Sequence, residues 1–231
     1  STSSVIVTTQ TPPVPSLLSP ADNNIASNQK PAFDWLDVSE AANYEIYVST
    51  DIDFGFLAYS AAPSTSTSQP ASNLPTEKYF WKVRSKNAAG LYSNWTSTWS
   101  ITIDTATPGI TNNVPLGFGS WYNTDPGNIF NIDFADAGSK LQKAEYKVHT
   151  DAGEGGTQKI NWTQITGSSD TVSFTANWPL ETGSWALLEN GTNYFSARAT
   201  DLAGNTSAWI DIFRIFKDVT PPSVENLQAG D

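Results

Sequence analysis

The stretch Tyr79-Phe80-Trp81-Lys82-Val83-Arg84-Ser85-Lys86-Asn87-Ala88-Ala89-Gly90 carries the decisive pattern. Tyr79, Trp81 and Val83 alternate with Lys82 and Arg84, the period of a strand with one face buried and one in water. Its second half returns downstream as Ala197-Arg198-Ala199-Thr200-Asp201-Leu202-Ala203-Gly204. Arg84 and Arg198, Ala89 and Ala203, and Gly90 and Gly204 all stand 114 residues apart. The same spacing links Ser93 to Ser207, Trp95 to Trp209, Asp104 to Asp218 and Pro108 to Pro222. Earlier, Glu45, Val48, Thr50 and Asp51 match Glu145, Val148, Thr150 and Asp151 at a spacing of 100. The chain therefore reads as a duplication. The second copy is longer by a net 14 residues, inserted between Asp151 and Leu188.

Further alternating runs surround these blocks. Phe33 and Trp35, then Tyr44, Ile46 and Val48, then Trp99, Ile101 and Ile103 each predict a strand. No stretch shows helical apolar spacing over a helical length. Hydrophobic residues make up 39% of the chain, with nine Trp, eight Tyr and eleven Phe, enough for two separate cores in 231 residues. The predicted class is all-β, two tandem sandwiches. The predicted boundaries are a Ser/Thr/Pro linker over 1–13, a first sandwich over 14–104, and a second over 105–218 with its insertion around 151–188. A linker and the opening of a further repeat follow over 219–231, so a longer array is expected.

At this point the residues resemble fibronectin type III and related bacterial immunoglobulin-like domains. The resemblance rests on Pro15-Ser16-Leu17-Leu18-Ser19-Pro20, Pro31-Ala32-Phe33-Asp34-Trp35, Ala42-Asn43-Tyr44-Glu45-Ile46, the Tyr79–Arg84 strand, and Ser93-Asn94-Trp95. In the second copy, Leu188 to Tyr194 resembles the tyrosine corner of such folds. The matching Leu74 to Tyr79 is one residue shorter, and Tyr194 falls one residue too near Ala199 for alternation, as a bulge would produce. The resemblance implies secreted or surface modules used for adhesion, spacing or ligand display. It implies an extracellular or cell-surface location, a protein or glycan partner, and neighbouring repeats of the same chain.

Twelve Lys and Arg stand against 23 Asp and Glu, a net charge of −11. That surface repels phosphate backbones, so no nucleic-acid partner is expected. Cysteine is absent, which removes thiolate chemistry and cysteine-based metal sites. No apolar run is long enough to span a bilayer, and no membrane insertion of this segment is expected.

No catalytic residue is assigned. His149, the one histidine, aligns with Ser49 at a strand end and reads as structural. Carboxylate pairs of the kind glycosidases use occur as Asp51 with Asp53, Asp133 with Asp136, and Glu181 with Glu189, all at strand ends or turns. Asp51, Asp53, Asp104 and Asp218 are weak calcium candidates, because that ion takes carboxylate and carbonyl oxygens at domain junctions; no other cofactor is expected. The ligand-binding candidates are Trp121, Tyr122, Trp162, Trp178 and Trp185, since exposed aromatic rings stack on sugars or anchor partners. Core packing is the competing reading for these tryptophans. The functional expectation is a non-catalytic structural or adhesive repeat of a larger surface protein. The alternative is a carbohydrate-binding or spacer region of a secreted hydrolase.

Overall fold

A computed structural model describes residues 10–114 and 120–224. Residues 1–9 of the Ser/Thr/Pro segment and 225–231 of the trailing segment lie outside the described residues. The chain divides into two compact units, Ser1–Ala106 and Thr107–Asp231. Among the described residues no helix is long and apolar enough to cross a membrane.

Unit 1 holds eight strands: β1 (Leu17–Ser19), β2 (Asn24–Ala26), β3 (Phe33–Trp35), β4 (Ala41–Ser49), β5 (Tyr59–Ala61), β6 (Thr67–Ser68), β7 (Glu77–Asn87) and β8 (Trp99–Ile103). They form a three-stranded sheet, β1-β3-β6, and a five-stranded sheet, β2-β8-β7-β4-β5. Pairing is antiparallel except for β2, which runs parallel to β8. Inward side chains alternate along β7, where Tyr79, Trp81, Val83, Ser85 and Asn87 are buried. Phe33 meets Trp81 at 5.0 Å between ring centroids, and Trp35 meets Tyr44 at 5.4 Å, so the two sheets share one core. Truncating a buried aromatic such as Trp81 costs about 3–5 kcal/mol in such a site.

Unit 2 repeats this arrangement strand for strand. Its strands are β9 (Gly109–Asn112), β10 (Trp121–Tyr122), β11 (Ile132–Ala135), β12 (Leu141–Asp151), β13 (Gly155–Gln164), β14 (Ser173–Phe174), β15 (Gly191–Asp201) and β16 (Thr206–Lys217). A single-turn helix, α1 (Ser184–Leu187), precedes β15. The sheets are β14-β11-β9 and β10-β16-β15-β12-β13, and β10 again runs parallel to β16. Both units are β-sandwiches of fibronectin type III-like topology, three strands facing five. The core of unit 2 is built on Phe130, Tyr146, Trp178, Phe195 and Phe213. Phe195 and Phe213 approach to 4.5 Å.

The extra length of unit 2 is distributed rather than lodged in one loop. The hairpin β12–β13 turns tightly at 152–154, and β13 runs ten residues where β5 runs three. The segment joining β14 to β15 spans 175–190, twice the length of 69–76 in unit 1. Trp178, in that segment, exchanges backbone hydrogen bonds with Phe130 in both directions, at 3.2 and 3.1 Å. The segment is thus tied to the sandwich and not a free loop.

The corner lies elsewhere than Leu188–Tyr194 suggested. Tyr79 makes it in unit 1, its hydroxyl donating to the Pro75 carbonyl at 3.0 Å. In unit 2 its counterpart at the 114-residue spacing is Asn193, not Tyr194. The Asn193 Nδ2 donates to the Glu189 carbonyl at 2.9 Å, and its Oδ1 accepts the Glu189 N–H at 3.1 Å. Asn193 is completely buried, whereas Tyr194 alternates to the half-buried side. A carboxamide closes the loop on both backbone groups, so no phenol is needed there, and the ladder between β15 and β16 shifts register just beyond, between Phe195 and Ala197.

Candidate functional site

The candidate aromatic residues do not form one platform. In the sheet order β10 and β13 are opposite edges, with β16, β15 and β12 between them. At about 4.8 Å per strand, Trp121 and Trp162 are separated by roughly 19 Å. Trp121 is 63% exposed and stacks on Phe216 at 5.1 Å, while Tyr122, next along the strand, points the other way and packs against the core. Trp178 is a core residue, a correction to its candidacy as a stacking platform. It is 2% exposed, packed against Tyr146 at 5.2 Å and Phe130 at 5.0 Å.

Trp162 and Trp185 are half-buried and engaged by cations. The Lys147 ammonium lies 4.7 Å from the Trp162 ring centroid, and the Arg198 guanidinium 4.3 Å. Arg198 also donates from Nε to the Glu145 carboxylate at 2.7 Å, and Lys147 pairs with Glu154 at 2.5 Å. Unit 1 carries the counterpart: Arg84 donates to Glu45 at 2.6 Å and stacks on Trp95 at 4.4 Å and Tyr92 at 3.9 Å. In unit 2 Trp162, from the extended β13, takes the role that Trp95 has in unit 1, and Trp209 is left 46% exposed. Trp185 sits beside Lys217, whose ammonium lies 5.2 Å from its ring and donates to the Trp185 and Leu188 carbonyls at 2.9 and 2.7 Å.

Burial works against the charged form of Glu145, but hydrogen bonds from Arg198 and Lys143, together with their charges, outweigh it and hold its carboxyl below the usual glutamate value. His149 is 7% exposed within β12, opposite Tyr194 on one side and Gln158 on the other. Several of the candidate carboxylates are committed to local structure. Asp136 is buried and its Oδ1 accepts the Ser139 and Lys140 N–H groups, while Asp133 accepts from Asn113 at 2.7 Å. Glu189 pairs with Lys159.

Three of the four calcium candidates cap turns. Asp51 accepts the Asp53 and Gly55 N–H groups at 3.0 and 3.1 Å, and Asp53 itself is exposed. Asp104 accepts the Ala106 N–H at 3.0 Å, and Asp218 accepts the Thr220 N–H at 2.9 Å. A carboxylate pair the sequence did not single out lies in unit 2: Asp136 and Asp201, both buried, offer oxygens within 4.8 Å of each other. The signal was present, because Asp201 stands where unit 1 has Asn87. Both side chains accept from the backbone four residues on, Asn87 from Leu91 and Asp201 from Asn205. The turn between is closed by Gly90 and Gly204, at φ +85° and +89°, which favours glycine.

The same construction holds the ends of each unit. Where the chain leaves unit 1, Thr76 Oγ1 accepts the Thr105 N–H at 3.3 Å beside the Asp104 cap. Where it leaves unit 2, Asn190 Oδ1 accepts the Val219 N–H at 3.3 Å and Asn190 Nδ2 donates to Thr220 Oγ1 at 2.9 Å. Where the chain enters, Ser85 Oγ donates to the Pro13 carbonyl and Ser207 Oγ to the Pro108 carbonyl, both at 2.6 Å. Asn87 adds a bond to the Gln10 carbonyl at 2.9 Å.

The sequence matches no protein-family model. It matches no curated protein sequence either. Among solved structures, the chain is similar to the fibronectin(III)-like modules of CbhA from Clostridium thermocellum. That match has 12% identity and a TM-score of 0.46, covering 92% of this chain and 99% of that one. The FN1–FN3 domains of chicken CNTN1 match over 87% of this chain and 66% of theirs, at 14% identity and a TM-score of 0.39. The chitinase ChiA74 from Bacillus thuringiensis matches over 88% of this chain, which spans 27% of that enzyme, at 17% identity and a TM-score of 0.32. The fold assignment rests on the chain's own strand order.

Proposed function

We propose that the chain is a non-catalytic structural repeat of a larger extracellular or cell-surface protein, serving to space or display its neighbours. The observation that carries this reading is the pinning of the chain at both ends of each unit. Side-chain hydrogen bonds clamp the backbone as it enters at Pro13 and Pro108 and as it leaves at Thr105 and Val219. These bonds suit a module that hands the chain on to a neighbour at either end. The acidic balance suits an exposed surface that must remain monomeric and dissolved.

The test is replacement within the parent protein. Exchanging residues 10–224 for an unrelated sandwich pair of similar length should preserve surface reach and the activity of the flanking regions. Loss of function on that exchange, with the chimera folded and displayed, would overturn the spacing role. A second reading, a carbohydrate-binding region attached to a secreted hydrolase, is favoured by the exposed Trp121 ring on the edge strand of unit 2. Retention of the wild-type chain on an insoluble polysaccharide, abolished by Trp121→Ala, would support that reading instead.

A further inference from the structure

We propose that unit 2 carries a binding cleft for a neutral saccharide, between the end of β13 and the segment that follows β14. The cleft encloses about 390 Å³, within the range of about 300–1,000 Å³ usual for small-ligand sites. Ten of its twelve lining residues fall between Asp151 and Leu188. The extra length of the second unit therefore builds it, through a ten-residue β13 where β5 has three and a 175–190 connection where unit 1 has 69–76.

The floor is rigid. Tyr146 and Trp178 line it from beneath, almost wholly buried and stacked at 5.2 Å with an interplanar angle of 29°. The Tyr146 hydroxyl accepts the Glu181 N–H at 3.0 Å, which fixes that part of the rim to the core. Ser184 N–H donates to the Glu181 carbonyl at 2.9 Å, so α1 begins directly beyond the rim. Phe174, Pro179 and Leu180 supply the apolar wall.

The rim carries Asn128, Gln164, Asn177 and Glu181. Among the described residues, none of these four side chains makes a hydrogen bond or an ion pair with the rest of the protein. Each carboxamide presents donors and an acceptor, and a carboxylate presents acceptors alone. Vicinal hydroxyl groups both donate and accept, so three amides and one carboxylate above an apolar wall match a sugar ring. Its hydroxyls meet the rim while its C–H face lies on the wall. The single charge lining the cleft is Glu181, and no Lys or Arg lines it. With the chain at −11 overall, anionic ligands such as phosphates and acidic sugars are disfavoured. This site is separate from Trp121 and stands whether or not the chain serves as a spacer.

The experiment is titration of the isotope-labelled full chain with a panel of neutral disaccharides built on glucose, galactose, mannose and N-acetylglucosamine. Sialyllactose and a proline-rich peptide serve as the acidic and peptide arms. At least one neutral disaccharide should shift the amide signals of Gln164, Thr166 and Asn177 to Glu181 and the side-chain amides of Asn128, Gln164 and Asn177. Gln164→Ala and Asn177→Ala should each weaken that binding about tenfold. Both positions are exposed, so the thermal midpoint should not move, and Trp121→Ala should leave affinity unchanged. Absence of any response to the four neutral sugars would overturn the proposal. So would signals mapping to Trp121 or Trp209 instead, or the same cleft signals moved only by sialyllactose or the peptide.

Discussion

Tyr79 and Asn193 occupy the same place in the two units and brace the same corner with different chemistry. Tyr79 supplies one hydrogen bond to a carbonyl, so Tyr79→Phe should destabilise unit 1 by about 1 kcal/mol. Asn193 satisfies both the N–H and the carbonyl of Glu189 from a fully buried position. Asn193→Ala leaves both groups without that partner and opens a small void, an expected cost of about 2–3 kcal/mol. Urea unfolding of the full chain followed by tryptophan fluorescence would measure both, with the Asn193 effect the larger. The Asp136 and Asp201 carboxylates make a related point. Asn87 fills the role of Asp201 in unit 1 without a charge, so Asp201→Asn should retain the Asn205 N–H cap and relieve repulsion from Asp136, while giving up the bond that Asp201 Oδ2 accepts from Asn205 Nδ2 at 2.8 Å. In metal-free buffer near neutral pH, the relieved repulsion and the lost bond offset each other, and the thermal midpoint should stay close to that of the parent.

On the outer face of the five-stranded sheets, strand pairing places an acid opposite a base: Glu45 beside Arg84, and Glu145 beside Arg198. The Glu145 carboxyl is held below its ordinary value despite burial, by Arg198 first and Lys143 second. A carboxyl depressed in the folded state contributes stability above its unfolded value of about 4.3, and that contribution is lost as pH falls through the folded value. Glu145→Gln should therefore lower the thermal midpoint at pH 7, and the gap between variant and parent should narrow as pH is taken below about 4. A gap independent of pH would mean that packing, and not charge, accounts for the loss. Trp162 belongs to the same layer. Covering Lys147 and Arg198 at once, it is worth about 1–2 kcal/mol, and Trp162→Ala should cost that stability without altering saccharide binding in the cleft.

Each unit closes its own core. One is centred on Phe33, Trp35 and Trp81, the other on Phe130, Tyr146 and Phe195, and each has its eight strands in the same spatial order. Separate cores predict separate folding. Fragments covering 1–106 and 107–231 should each give a cooperative thermal transition and a near-ultraviolet spectrum of fixed aromatic side chains. A fragment lacking either property would show that its core depends on the other half of the chain.

Period-two alternation of large apolar side chains was enough to read the strands, because burial on one face of a pleated sheet imposes it residue by residue. The 114-residue spacing was enough to read the duplication, and it also placed the corner, since Tyr79 and Asn193 are equivalent by count; choosing the residue by type led to Tyr194. What the sequence alone did not decide is which aromatic residues face solvent. Trp121, Trp162, Trp178 and Trp185 are one residue type in one region, yet one is exposed, two lie beside cations and one is core. That outcome depends on partners far away in the chain: Arg198 for Trp162, Phe130 for Trp178 and Lys217 for Trp185. The cleft has the same origin. Asn128, Tyr146, Gln164 and Asn177 meet only because β13 is extended and the segment after β14 folds back over the edge of the sandwich, a long-range event that local periodicity does not encode.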